Sequence, residues 1–150
     1  MSRPRSLRRI ALRLVLAAIT ILLLVQLVTY GRDHENPPVV AEPRWDSPGS
    51  RALFLRSCGD CHSHETRWPW YSQVAPVSWL VQRDVEEGRE KLNVSDWDRK
   101  RQEADEAYEM FAEGEMPLPA YLLTHPEARL GPADRQALLA GLEATFGRKR

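Results

Sequence analysis

The chain has only two cysteines, Cys58 and Cys61, and no alternation of apolar and polar residues near them that would indicate a β-strand. A thioredoxin-like redox pair lies where a strand runs into a helix, so that class of site lacks its structural context here. A zinc site needs two further closely spaced Cys or His ligands, and His64 is the one near candidate. A disulfide between residues three positions apart would close too small a loop to stabilise the chain much. None of these three uses is favoured for the two thiols.

Acidic residues are missing from residues 1–32, since the first acidic residue of the chain is Asp33. Residues 1–13 instead hold five arginines, which are Arg3, Arg5, Arg8, Arg9 and Arg13. The formal net charge of the whole chain is zero, and residues 14–150 carry 16 basic and 21 acidic residues. An acidic body argues against a nucleic-acid partner, because proteins that bind nucleic acids present basic surfaces to the phosphates.

Polar residues are also scarce between Ile10 and Tyr30, where only four interrupt an apolar run. A helix over this run would span roughly 30 Å, the thickness of a hydrocarbon core. The flanking arginines place its first end in the cytoplasm. A cleaved signal peptide is the alternative, but residues 27–36 lack a small-x-small cleavage pattern. We therefore expect residues 1–30 to be an uncleaved, single-pass signal anchor in the inner membrane, with the rest of the chain in the periplasm.

Prolines and charged residues dominate the next segment, residues 31–46, which contains Pro37, Pro38 and Pro43. This composition cannot bury a core and favours an extended tether of up to roughly 50 Å. We expect one folded domain to follow over residues 47–147.

The five residues from Cys58 to His62 read C-x-x-C-H. This is the attachment signature of covalent haem, in which both thiols form thioethers and the imidazole becomes an axial iron ligand. The two intervening residues form one helical turn, which places both sulfurs along one edge of the porphyrin. Thioethers are formed in bacteria outside the inner membrane, so an exported domain suits this motif. The cofactor that the motif predicts is one covalent haem c.

Helical periodicity and capping residues predict four helices in the folded domain. They run from Pro48 into the haem motif, over 77–92, from Asp96 to about Glu113, and over 133–146. Ser47 and Ser95 are the expected amino-terminal caps of the first and third helices. The fold class is therefore expected to be all-α, with a porphyrin supplying much of the core that about 100 residues lack.

The distal iron ligand is expected to be Met116, which follows a helix stop 54 residues after His62 and stands in a loop stiffened by two prolines. Met110 lies within a predicted helix and is interpreted as a core residue. His125 is the rival ligand, and an open distal position is the third alternative. These alternatives separate an electron carrier from a site that binds small molecules.

Three segments of the chain carry a resemblance to a known family. They are CGDCHSHETRWPWYSQVAPVSW, EEGREKLNVSDW and GEMPLPAYLLTHPEARL. Together they resemble the bacterial haem-binding domain family, whose members are membrane-anchored and similar in layout to small monohaem cytochromes c. The likeness covers nearly all of residues 50–146.

The resemblance implies a cytochrome c-like domain and a role for each site residue. Cys58 and Cys61 would be the thioether positions, His62 the proximal ligand and Met116 the distal ligand. Arg67, Trp70 and Trp79 would contact the haem near its propionates.

The function that we expect is one-electron transfer by a membrane-anchored periplasmic monohaem cytochrome, a carrier rather than an enzyme. Its partner would be a redox protein of the periplasm or inner membrane with a basic docking patch, because the domain is acidic. A haem-based redox or gas sensor is the alternative, in which Met116 is absent from the iron or easily displaced. A peroxidase-like enzyme, with His125 or Glu115 as acid–base group, ranks last.

Overall fold

A computed structural model of the protein describes residues 3–100 and 102–148. Its α-helices are α1 (Arg3–Val25), α2 (Pro48–Ser57), α3 (Gly59–His62), α4 (Val77–Lys91), α5 (Ala107–Glu113), α6 (Pro119–Thr124) and α7 (Pro132–Phe146). Short 3-10 segments cover Trp70–Gln73, Ala104–Glu106 and Pro126–Ala128. No β-strand forms within the described ranges, where the only ladder contact is an isolated bridge between Ala41 and Asp96. The all-α class is confirmed.

The described residues form two compact units. The first unit takes 3–34 and 69–83, and the second takes 35–68, 84–100 and 102–148. Helix α4 contributes residues to both units.

In the first unit, helix α1 ends at Val25 and the side chain of Gln26 marks its end. The Gln26 amide donates to the carbonyl of Ala75 at 2.8 Å and accepts from the Ala75 backbone N–H at 3.1 Å. These bonds join the end of α1 to the segment that precedes α4. The transmembrane helix expected over 10–30 is not found, since no helix of the described residues combines the length and apolarity that a membrane crossing needs.

The core of the second unit lies between α2, α5 and α7. Its buried apolar side chains are Phe54, Leu92, Val94, Phe111, Leu138 and Leu142. Helices α2 and α7 approach closely at Ser50 and Gly141, where a Cβ on the glycine would lie 2.6 Å from the Ser50 Cβ. Only a residue without a side chain fits at this crossing.

Helix α2 begins as its sequence predicts. The hydroxyl of Ser47 accepts a hydrogen bond from the backbone N–H of Ser50 at 3.1 Å, and Pro48 takes the first helical position. This capping bond satisfies one of the amide groups that a helix leaves unpaired at its start. It fixes the point from which α2 runs directly to Cys58.

The helix predicted from Asp96 to Glu113 is wrong over its first half. Its intended cap, the Ser95 hydroxyl, instead accepts from the backbone N–H of His64 at 2.9 Å. The Gln102 side chain accepts from the backbone N–H of Asn93 at 2.7 Å and donates to the Asn93 carbonyl at 3.1 Å. This one side chain therefore satisfies backbone groups of the turn that starts at Asn93, where the structure has no helix.

Residues 35–46, expected as an extended tether, make specific contacts within the second unit. The backbone N–H of Val40 donates to the Ser95 carbonyl at 2.8 Å. Glu42 pairs with Arg51 through two bonds of 2.6 and 2.7 Å. Backbone pairing and a bidentate ion pair therefore hold this proline-rich segment on the domain surface.

Candidate haem-binding site

A cavity of about 640 Å³ lies in the second unit. This volume is within the range of about 300–1,000 Å³ that is typical of cofactor sites. Cys58, Cys61 and His62 line it, and so does Met116 from the loop after α5. The fold thus brings the haem motif and the expected distal ligand to the same cavity.

The imidazole of His62 is half-buried and oriented by a backbone contact. Its Nδ1 donates to the carbonyl of Leu92 at 3.0 Å, which leaves Nε2 as the nitrogen with a free lone pair. Burial lowers the pKa of His62, which favours the neutral ring that a metal requires. A histidine held in this tautomer by a carbonyl is the usual arrangement behind a metal-ligating imidazole.

The two cysteines lie one helical turn apart where α2 gives way to α3. The backbone N–H groups of Cys61 and His62 both donate to the Cys58 carbonyl, at 3.2 and 3.0 Å. Both thiols are free, and burial raises the pKa of each to about 12. Redox-active and zinc-binding cysteines need the thiolate, which this setting disfavours. Neutral thiols facing an apolar cavity instead suit thioether formation.

Helix α4 approaches the haem motif at Gly88. A Cβ on Gly88 would lie 2.6 Å from the Cys61 carbonyl oxygen and 2.9 Å from the Cys61 Cβ. Such distances leave no space for a larger residue. The glycine therefore lets one wall of the cavity come into contact with the motif.

The carboxylate of Asp60, between the two cysteines, is only 6% exposed. It accepts from the backbone N–H of Arg67 at 2.9 Å, from the Arg67 guanidinium at 3.3 Å, and from the Tyr121 hydroxyl at 2.7 Å. Arg67, expected near the propionates, is thus engaged with the haem motif itself. Burial and the neighbouring Asp60 charge raise the pKa of Tyr121, which keeps its hydroxyl a donor.

Met116 stands in a loop that begins with Gly114, whose φ of 80° ends α5. The backbone N–H groups of Glu115 and Met116 donate to the Met110 carbonyl at 3.0 and 3.1 Å. Met110 was interpreted as a core residue, yet it also lines the cavity. Two thioether side chains therefore border the space across which a distal ligand must reach.

The other two histidines near the site make contacts away from the cavity. His64 donates from Nδ1 to the Pro38 carbonyl at 3.0 Å and accepts at Nε2 from the Asn93 amide at 2.8 Å. His125 stacks on the ring of Tyr121, with centroids 3.9 Å apart, and does not belong to the cavity lining in the described chain. Of these side chains, only Met116 belongs to the described cavity lining.

Trp70 and Trp79 lie in the first unit, and the described cavity lining includes neither of them. Trp70 is 81% exposed, whereas Trp79 is half-buried. Their expected haem contacts stay predictions.

Tyr121 is a site residue that the sequence did not indicate. The apolar walls of the cavity are formed by Phe54, Leu92, Phe111, Pro117, Leu118 and Leu142. Tyr121 is separated from Asp60 by 61 positions, so no local pattern could have paired them. The signal that was available is the aromatic residue following the Met-Pro segment.

The donor set fits haem, because two thiols, one tautomer-fixed imidazole and a thioether border a cavity that is largely apolar. Among the described residues, no group of three His, Cys, Asp or Glu side chains is placed to hold a bare metal ion. Comparison with curated proteins and with solved structures gives no match. The family model of the haem-binding domain matches residues 20–144, so the chain belongs to the haem-binding domain family and binds haem.

Proposed function

We propose that this chain is a c-type cytochrome that carries one haem covalently and transfers single electrons. Cys58 and Cys61 would hold the porphyrin as thioethers, with His62 and Met116 as the axial ligands. The observation that carries this proposal is the lining of one cavity by all four side chains, with the His62 Nδ1 already bonded to the Leu92 carbonyl.

The chain's own residues supply what an electron carrier needs. Bound haem iron supplies a change of one electron between its ferric and ferrous forms. His62 keeps its orientation in both forms, because its second nitrogen is fixed to the Leu92 backbone. Met116 would raise the reduction potential as a thioether ligand. The apolar walls would pack against the porphyrin, and electron transfer through its edge needs no substrate in the cavity.

The partner is proposed to dock through a basic surface. The charged residues that line the cavity are mainly acidic: Asp84, Glu87, Glu90, Glu103 and Glu106, with Lys91. Complementary charge speeds the encounter of two proteins and orients them. Docking at this carboxylate rim, as we call these five acidic residues, would bring the partner next to the haem.

The domain is proposed to act in the periplasm, attached to the inner membrane through α1. The apolar side chains of α1 are exposed, and they include Leu14, Leu23 and Leu24 at 67, 65 and 58%. An exposed apolar surface of this extent is typical of a helix that contacts lipid or another apolar partner. Carbonate extraction of the membrane fraction tests the attachment, since a peripheral protein would be released.

The decisive experiment is the absorption spectrum of the full chain produced together with haem-attachment machinery. We expect a low-spin ferric spectrum with a weak sulfur-to-iron band in the far red. Met116→Leu should abolish the band, and Met110→Leu, the matched control, should retain it. Loss of the band in Met110→Leu alone would show that Met110, and not Met116, is the thioether ligand of the iron.

Covalent attachment is tested separately, on a denaturing gel stained for haem. The wild-type band should retain haem, whereas the Cys58→Ala/Cys61→Ala variant should lose it. A wild-type protein that releases its haem under these conditions would contradict the thioethers. A high-spin ferric spectrum that binds carbon monoxide after reduction would instead favour the sensor function.

A further inference from the structure

The carboxylate of Asp60 links two parts of the haem site that are far apart in sequence. It lies inside the C-x-x-C-H motif, is 6% exposed, and accepts hydrogen bonds from Arg67 and Tyr121. A buried carboxylate is costly unless such donors satisfy it. The Tyr121 bond, at 2.7 Å, is the shortest of these, and its donor lies 61 positions later in the chain.

Tyr121 lies five residues after Met116, in helix α6, which follows the Met-Pro loop. Its side chain lines the cavity, as do Pro117 and Leu118. Its ring is held between two fixed groups, because His125 stacks on it with an interplanar angle of 13° while Asp60 accepts from its hydroxyl. Tyr121 is therefore a rigid connection between α6 and the haem motif.

Two backbone bonds to the Met110 carbonyl tie the loop that carries Met116 to α5, whereas the Tyr121 hydroxyl bonds to the haem motif. Helix α6 has only six residues, too few to be stable through its own backbone bonds. A methionine side chain has three rotatable bonds and adapts easily to its surroundings. A thioether that must meet an iron at one point therefore depends on contacts that fix the backbone on which it stands.

We propose that the Tyr121–Asp60 hydrogen bond positions the Met116 loop relative to the haem motif, and so controls how permanently Met116 closes the distal side. Tyr121 is a positioning residue, since it acts through Met116. This inference rests on the proposed function, in which Met116 is the distal ligand. The Tyr121–Asp60 bond would keep the distal side closed, as an electron carrier requires, and its loss would open that side to small molecules.

The test uses the full haem-loaded chain with Tyr121→Phe, which removes the hydroxyl and keeps the ring stacked on His125. Tyr108→Phe is the matched control, because Tyr108 lies outside the cavity lining of the described chain and stacks under Arg148. We measure the sulfur-to-iron band, carbon monoxide binding to the reduced protein, and hydrogen exchange of residues 115–124.

In Tyr121→Phe we expect a weaker sulfur-to-iron band and an increase of about tenfold or more in carbon monoxide affinity, the scale of losing one hydrogen bond to a buried charge. Hydrogen exchange should rise over residues 115–124 and stay unchanged in α7. Asp60→Asn should act in the same direction, and the double variant should be no worse than the stronger single variant.

Two outcomes overturn the inference in distinguishable ways. If Tyr121→Phe matches Tyr108→Phe in band, affinity and exchange, the hydrogen bond does not position the loop, and the proposed function stands. If the wild-type protein itself lacks the band and binds carbon monoxide, Met116 is not the ligand, and the inference fails together with that part of the proposed function.

Discussion

Gly88 of α4 and Cys61 of the haem motif are in backbone contact, because a Cβ on Gly88 would lie 2.6 Å from the Cys61 carbonyl oxygen. The position of the Cys61 thiol therefore depends on a residue 27 positions later in the chain.

Gly88→Ala should push α4 away from the haem motif. We expect the free energy of unfolding to fall by about 1–3 kcal/mol, as for other overpacked sites, together with a lower yield of attached haem. Chemical denaturation and haem staining measure the two effects. Gly49→Ala is the control, since the nearest atom to its new Cβ is 3.7 Å away and alanine favours a helix. Equal behaviour of the two variants would contradict the contact.

Gln102→Ala should destabilise the second unit although the side chain lies outside the core. Its amide satisfies both the N–H and the carbonyl of Asn93, which would lose their partners. We expect a loss of about 1–3 kcal/mol in the free energy of unfolding. Gln136→Ala, on the exposed face of α7, should change it by less than about 0.5 kcal/mol. A Gln102 effect as small as this would show that the turn is held by other contacts.

The Glu42–Arg51 ion pair should give the protein a pH-dependent part of its stability. The Arg51 hydrogen bond lowers the pKa of Glu42 from its ordinary value of 4.5, so the folded protein binds fewer protons than the unfolded chain. The stabilisation is present above pH 4.5 and is lost as pH falls through the folded pKa. Melting temperatures of wild type and Glu42→Gln should thus differ at pH 7 and converge in acid.

Glu113→Gln, an exposed carboxylate at the end of α5, is the control for this experiment. It should follow the wild-type melting temperature at every pH. A Glu42→Gln difference that persists unchanged below pH 3 would rule out the ion pair as its cause.

The carboxylate rim should make electron exchange depend on the charge of the reactant. A cationic cobalt–phenanthroline complex should oxidise the reduced protein at a rate that falls with added salt, and anionic ferricyanide at a rate that rises. Stopped-flow absorbance measures both rates. Glu87→Gln with Glu90→Gln should weaken both salt effects, whereas Glu143→Gln on α7 should not. Identical salt responses for the two reactants would contradict docking at this rim.

Sequence patterns predicted the parts of the fold that depend on neighbouring residues. Ser47 and Pro48 indicated the start of α2, and the glycines at 114 and 147 indicated where α5 and α7 end. The C-x-x-C-H motif contains its own helical turn, so its geometry could also be predicted. In each case, the deciding contact lies within a few positions along the chain.

The remaining features depend on contacts between distant residues. The predicted helix from Asp96 is wrong over its first half, where the Gln102 side chain donates to the Asp96 carbonyl and bonds to Asn93. At the end of helix α1, Gln26 bonds to Ala75, 49 positions away. The contact between Asp60 and Tyr121 is likewise invisible to any periodicity. Such long-range hydrogen bonds override local propensity without leaving a pattern in the sequence.

The crossing of α2 and α7 limits how this chain can vary. Ser50 and Gly141 touch there, so a larger side chain at position 50 cannot be accommodated by shrinking residue 141, which is already glycine. Any relative that keeps this crossing must keep small residues at both positions, although neither one touches the cavity. Sequence variation at these two positions is thus restricted by helix geometry, independently of what the protein binds.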